Sequence, residues 1–485
     1  MFPTFKLLFS KFKPRRKTPE ETENRRRFWR KARRGIGWTL AALFVAHCAL
    51  NIYASVLLNR ELAAIRQKGE PLQFSELAPP SVPDSQNAAL VYKAAYDSLR
   101  FSDEEKESFR AREGNRSPQQ KRWVEEAVAK NQKAIELTRR AAAMTRCVFP
   151  LNYNIRNPFE LLFPHFGEMR ELARLLNAQA QLEAKAGNEK EALRDVRAVF
   201  SMANHLSNEP SLIGFLVAQA VESIADTTLA QVLSNISMSS TQAREFKKSL
   251  PQTDWNRTFE RALMGERAAG ISMFELLRQP DGISIAQINS FTGGAEGDGT
   301  GGILWPSWGY APLILAWRPV SKLDEVHSLR LWKAQLSAAA SPQTSAFSNI
   351  NQSFEKAVSE LPNYAILTRI LMPVYSRTSS NRDRAEVRRR QREIALALAV
   401  YRGEKGHYPQ KMEELDVLWG KALPFDPCSN KPFIYRRDGE SFLLYSIGPN
   451  LKDERGEDWR TSPLPPGELN QRDDISWGDP KPGIQ

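Results

Sequence analysis

"LALAVYRGEKGHYPQKMEEL", residues 396–415, changes character at its midpoint. An Ala/Leu run suited to a helix ends at Gly403. The chain then turns through Gly406-His407-Tyr408-Pro409 and restarts as a short acidic helix. Upstream, "NRDRAEVRRRQREIALALAVYRGEKG" reads as one long helix. Its first half carries six Arg between Arg382 and Arg392, offset by Asp383, Glu386 and Glu393, which predicts a solvated face. Its second half is apolar all round and predicts burial. Downstream, Phe433-Ile434-Tyr435 and Phe442-Leu443-Leu444-Tyr445 flank Asp438-Gly439. An Asp-Gly pair between strand-like runs predicts a hairpin whose turn residues take positive φ. Residues 381–460 therefore read as a small α+β module, a long helix on an antiparallel hairpin, followed by a Pro-rich tail at 461–485.

From Arg60 to about residue 250 the apolar spacing is helical, and residues 60–380 read as one helical domain. In "GEMRELARLLNAQAQLEAKA", Met169, Leu172, Leu175, Leu176 and Leu182 share a face; Gly187-Asn188 breaks the helix, and Ala192, Val196, Val199, Ala203 and Leu206 resume the period. A third helix follows Pro210. The hairpin resembles a single tetratricopeptide unit, and without a second copy at a fixed period it predicts an irregular helical bundle. Within 281–303, "TGGAEGDGTGG" reads as a flexible loop, since it lacks the Gly-Lys-Ser/Thr ending of a phosphate cradle. "ILWPSWGYAPLILAWRP" follows, with Trp305, Trp308, Tyr310 and Trp317. Two prolines make it a poor second span. It predicts burial in the bundle, with a seat on the membrane interface as the alternative.

At the amino terminus, residues 35–59 contain no Asp, Glu, Lys or Arg. At about 1.5 Å per residue this stretch covers a hydrocarbon core of roughly 30 Å. A cleavable signal peptide would have a shorter apolar region and a small-residue cleavage site; "YASVLLNREL" matches poorly, so an uncleaved anchor is expected. Residues 1–34 carry 13 Lys or Arg against three Glu, while the other 451 residues are nearly balanced at 55 basic and 53 acidic. The basic character thus belongs to the tail. It predicts a cytoplasmic amino terminus beside anionic lipid, and an exported remainder, rather than a nucleic-acid partner. His47 and Asn51, one turn apart in the anchor, predict packing on a neighbouring helix. The expected fold is mainly α: transmembrane helix, exported irregular helical bundle, carboxy-terminal α+β module.

Candidate chemistry is sparse. His165-x-x-Glu168 has one-turn ligand spacing without the further pairs a di-iron bundle needs. Glu222 and Asp226 on an apolar helix are a candidate acid pair for a hydrolase. Ser353-x-x-Lys356 stands without partner motifs, and there is no HExxH or GxSxG. Cys147 and Cys428, outside the anchor, show no metal spacing, and unpaired thiols are expected. A non-catalytic protein that binds a protein partner is the expectation.

One resemblance is carried by ordered pieces: Tyr401, Gly406, Tyr408-Pro409, Leu423-Pro424, Asp426-Pro427, Tyr445-Ser446, Gly448 and the acidic run beyond. Together they resemble the globular half of type II secretion major pseudopilins, over about 95 of the 485 residues. The whole chain resembles bacterial single-pass membrane proteins built around such a module, which implies the inner membrane. The resemblance implies calcium in the acidic loop, with Asp453, Glu454, Asp458 and Asp473 or Asp474 as ligands. It also carries a second function, an accessory component of a secretion or pilus-like system. Pseudopilins have a short basic leader, a Gly-Phe cleavage point and a glutamate in the membrane helix. The anchor here has no acid and lies more than 300 residues from the module, so pilin-like processing and polymerisation are not expected.

Overall fold

The computed structural model describes residues 19–111, 113–154, 160–279, 310–339, 353–376, 379–419, 422–457 and 474–477. The uncharged stretch lies inside one unbroken helix, α1 (Pro19–Gln67). Its large apolar side chains stand open: Trp38 is 78% exposed and Phe44 68%. Towards its end the helix joins the body, where Leu58 and Ile65 pack with Leu72, Ile271, Val326 and Leu329.

The body is a helical bundle. Its elements are α2 (Ala88–Asp97), α3 (Asp103–Arg110), α4 (Pro118–Lys130), α5 (Gln132–Ala142), α6 (His165–Lys185), α7 (Glu189–Leu206), α8 (Leu212–Asn235), α9 (Ser240–Ser249), α10 (Trp255–Leu277), α11 (Tyr310–Ala339) and α12 (Ile366–Ser376). Local sequence sets several starts. Ser102 with Glu105, Ser117 with Gln120 and Ser239 with Gln242 form reciprocal capping boxes that satisfy the first free N–H groups of α3, α4 and α9. The α6–α7 hairpin turns at Gly187-Asn188 as its spacing predicts, and Met169, Leu172, Leu175, Leu176, Val196, Val199 and Leu206 are all buried. Helix α8 is also long and apolar enough to cross a membrane, but 61% of its most apolar stretch is buried against only 6% for α1. Burial within the protein accounts for the apolarity of α8 and not for that of α1.

The carboxy-terminal part adds α13 (Ser379–Lys405), α14 (Glu414–Trp419) and an antiparallel sheet ordered β1 (Ile434–Asp438), β2 (Ser441–Ser446), β3 (Ile475–Ser476). Helix α13 passes through Gly403 and ends only at Lys405, before Gly406 (φ 78°). Gly403 is required by packing instead: a Cβ there would lie 2.8 Å from the carbonyl oxygen of Met238. In the hairpin Asp438 pairs with Ser441, leaving Gly439-Glu440 as the loop. Only Gly439 (φ 55°) takes positive φ, one position later than the Asp-Gly reading placed the turn.

One hydrophobic cluster runs from Ala88 in α2 through α6, α7 and α8 to Ile394, Leu398, Leu444 and Ile475. The apolar half of α13 is buried as expected. Its Arg-rich half is not the solvated face that composition predicts: Arg382 and Arg392 are buried, and Arg384 and Arg388 are half-buried. Arg392 enters because Glu222 and Asp226 of α8 meet it, and Arg382 because Asp383 and the Ala339 carbonyl do, which a one-dimensional charge pattern cannot show.

Candidate functional site

The acidic loop after β2 folds back on the sheet. Asp474, just before β3, is fully buried, and its Oδ2 accepts a 2.7 Å hydrogen bond from the Gly456 N–H. Its Oδ1 is buried without a hydrogen-bond partner among the described residues. Burial, and then the neighbouring Glu454 and Asp453 carboxyls, push Asp474 well above the usual carboxylate range. Asp453 accepts from the Tyr445 hydroxyl at 3.0 Å and from the Arg455 N–H at 2.8 Å, and Glu454 accepts from Asn450 at 2.8 Å. Asp458 and Asp473 lie outside the described residues. Asp474 with the Glu454 and Asp453 carboxyls beside it is a set that a shared proton would suit. Among the described residues, no group of three or more His, Cys, Asp or Glu is arranged to hold a metal ion.

The other ordered pieces do structural work. Asp426 is buried and accepts from the Cys428 N–H, the Ser429 hydroxyl and the Ser446 hydroxyl at 3.0, 2.9 and 2.8 Å, tying its turn to β2. The Tyr401 hydroxyl donates to Glu414 at 2.6 Å and the Tyr435 hydroxyl to the Pro409 carbonyl at 2.7 Å. Tyr408 packs edge-on against Phe442, centroids 4.8 Å apart. Gln391 of α13 donates to the Ile475 carbonyl at 2.6 Å, seating β3 and therefore Asp474.

Glu222 and Asp226, on one face of α8, are both buried and both held by Arg392 of α13. Arg392 Nε is 2.6 Å from Asp226, and Arg392 Nη2 is 3.0 Å from Glu222. The guanidinium also lies 4.2 Å from the Phe200 ring centroid, in cation–π contact. Burial raises Glu222, and Arg392 opposes that rise. The adjoining cavity holds about 50 Å³, room for water rather than a substrate. Sequence reasoning found the acids and missed the arginine, which lies 166 residues from Asp226.

His165 is buried and stacked on Phe149 at 3.8 Å, and burial lowers it to about 4. Its ring lies 3.7 Å from Glu209, which burial raises to about 7 and which accepts from the Tyr153 hydroxyl at 3.2 Å. Glu168 instead neighbours Lys93, so the His-x-x-Glu spacing does not make a ligand pair. Cys147 is buried and Cys428 half-buried, and no disulfide joins them. A cleft of about 460 Å³ between α5 and α7, absent from the sequence reading, is lined by Arg139, Arg140, Arg194 and Arg197. Arg139 is committed to Asp195 through bonds of 2.6 and 2.8 Å, whereas Arg140 and Arg197 are exposed. No family model, curated protein or solved structure matches the chain.

Proposed function

We propose that the chain is a non-catalytic, membrane-anchored envelope protein. In this reading α1 crosses the inner membrane with its basic tail in the cytoplasm, and the exported helical body and carboxy-terminal module bind a protein partner. The observation that carries it is α1. Ten large apolar side chains between Ile36 and Val56 … among them Trp38, Phe44 and Ile52 … stand exposed or nearly so on a helix that continues into the core without a break.

 Water would penalise that surface by roughly 1.5–3 kcal/mol for each side chain left unburied, and lipid removes the penalty. Ala54, Leu58 and Ile65 of the same helix are buried in the body, which favours an anchor retained in the mature chain over a removed signal peptide. The Arg140 and Arg197 side chains at the α5–α7 cleft suit an acidic segment of a partner. The Arg392 clamp on Glu222 and Asp226 disfavours the hydrolase alternative, since it neutralises the only acid pair that reading used.

Topology tests the proposal. A reporter active only outside the cytoplasm is expected to work when fused after Gln485 and to fail when fused after Arg34; the reverse pattern sinks the reading. Neutralising Arg25, Arg26, Arg27, Arg30, Lys31, Arg33 and Arg34 together is expected to give mixed orientation, because these charges set the bias.

The acidic loop favours a refinement, which also bears on the accessory-component reading: calcium seated by Asp474, Asp453 and Glu454, with Asp458 and Asp473 as further donors. A buried carboxyl raised in the folded state stabilises the protein at low pH, and that contribution is lost as pH rises towards its folded-state pKa. Calcium needs the ionised form, so binding is expected to release protons and to tighten as pH rises. At a hundredfold excess over its dissociation constant, calcium should add about 2.7 kcal/mol of stability. Melting the whole protein in calcium and then in chelator measures this. Equal midpoints, or an Asp474→Asn variant that responds like the parent, exclude calcium. The whole chain is the right sample, because Ile394 and Leu398 of α13 are packed in the bundle core.

A further inference from the structure

Helix α11 runs parallel to α1 in a fixed register. Lys322 Nζ donates to Asn51 Oδ1 at 2.9 Å and to the Ser55 hydroxyl at 2.8 Å, and Arg330 Nε donates to Glu61 at 2.9 Å. The paired positions are 271, 267 and 269 residues apart, so an α11 residue lies level with the α1 residue about 269 earlier. Tyr310–Trp317, the first two turns of α11, are thereby level with residues 41–48 of the anchor. The covering of α1 begins level with positions 316 and 317 and continues towards the body. His47, Cys48, Asn51, Ala54, Ser55 and Leu58 form a shielded stripe at helical spacing, whereas residues 35–46 are exposed.

The depth of that stripe follows from the rise of the helix. With Arg34 at the inner headgroups, a hydrocarbon core of roughly 30 Å is crossed in about 20 residues, which places the outer boundary near Ala54. Residues 41–48 then lie about 10–21 Å into the core, across its midplane, and Tyr310–Trp317 lie level with them. "YAPLILAW" carries no charge; of the first charges after it, Lys322 falls near the boundary and Arg318 about 7.5 Å inside it, within reach of a long side chain. Helix α12 adds an independent mark. Its start is fixed to α11 by Asp324, which accepts from the Leu367 N–H at 2.9 Å and the Thr368 N–H at 3.2 Å. Asp324 is level with Ser55. Tyr364, Ile366 and Ile370, close to that cap, are exposed at 38%, 42% and 43%. Apolar side chains left open at the computed boundary are the expected form of a surface that rests on lipid.

We propose that the first two turns of α11 are seated in the hydrocarbon core beside α1, so that the body grips the bilayer through two helices of which only α1 crosses it. The seat fixes the body against the membrane instead of leaving it to swing on one helix. It rests on the anchored reading above, and its ligand is the acyl chains of the bilayer lipid.

The test uses full-length protein carrying Cys428→Ser, reconstituted in phosphatidylethanolamine–phosphatidylglycerol vesicles. Three single probe sites are compared: native Cys48 in the anchor, and Leu313→Cys and Leu162→Cys each in a Cys48→Ser background. Cys147 is buried and Leu162 is 77% exposed, so the latter reports water. A polarity-sensitive fluorophore on each thiol is quenched with acyl-chain nitroxide lipid or with aqueous iodide. The expected result is several-fold stronger nitroxide than iodide quenching at positions 48 and 313, and the reverse at 162. Nitroxide quenching at 48 with iodide quenching at 313 overturns the seat and leaves the anchor standing. Shielding of 313 from both quenchers also overturns it, in favour of burial within the body or under a protein partner. Iodide quenching at 48 removes the anchor itself. Ala316→Cys, one turn along, repeats the measurement should Leu313→Cys fold poorly. Oxidative coupling of Trp317→Cys to native Cys48 checks the register, and no coupling contradicts it.

Discussion

Arg392→Ala is expected to destabilise the protein by about 3–5 kcal/mol, the cost of removing one partner from a buried ion cluster. The reason is what remains. Glu222 and Asp226 stay buried on α8 with their bonds of 3.0 and 2.6 Å to the guanidinium gone, and the Phe200 ring loses the cation above it. The pH dependence has a definite sign. Glu222 is already raised by burial, and loss of Arg392 raises it further. A raised carboxyl favours the folded state at low pH and loses that contribution as pH rises, so the variant should lie closer to the parent at pH 5 than at pH 8. A triple variant, Glu222→Leu, Asp226→Leu and Arg392→Met, should recover most of the loss, because apolar replacement of a whole buried cluster is often neutral or better. Urea denaturation at both pH values, followed by tryptophan fluorescence, measures all of this. A single variant within 1 kcal/mol of the parent at pH 8 would show that the cluster does not hold α13 to α8.

Gly265→Ala should cost about 2 kcal/mol. Helix α10 passes the turn between α7 and α8 so closely that a Cβ at 265 would lie 1.8 Å from the Pro210 carbonyl oxygen. That obstacle is backbone. It cannot rotate away as a side-chain tip would, and the same turn is held by the Leu212 N–H donating to Glu266 at 2.9 Å. Alanine's helix propensity offsets about 1 kcal/mol of an overpacking cost of roughly 1–3 kcal/mol or more, and the clash wins because the oxygen must retreat by more than an ångström. Gly35→Ala, where a Cβ meets nothing within 4 Å, is the matched control and should leave the melting midpoint unchanged. Equal midpoints for the two variants would mean that α10 does not approach Pro210 in this way.

These two sites mark where reading along the chain stops. Arg392 stands in a run of arginines whose pattern is that of a wet surface, and its acids lie 166 and 170 residues away. No local rule connects them, since the connection exists only once α13 lies across α8. Gly265 sits in an ordinary helical pattern, and the backbone it must admit belongs to another segment. Asp474 was legible as an acid near the loop, but its burial against Gly456 depends on β3 pairing with β2 after the chain leaves the sheet and returns.

Other features were local and could be read directly. Apolar period 3.6 gave the α6–α7 hairpin and its buried face, because a helix repeats its neighbours every three or four residues whatever surrounds it. Asp438-Gly439 between two β-rich runs gave the hairpin, since only a few residues tolerate its turn. The uncharged stretch at 35–59 gave a helix long and apolar enough to cross a membrane, because length and composition set that test, whereas packing decided that α8, which passes it too, is buried in protein. What tertiary structure decided was pairing across distance: which acid meets which arginine, where a glycine is needed for close approach, and in which register α11 lies beside α1. Those follow from the geometry of packed helices, and a linear pattern does not contain it.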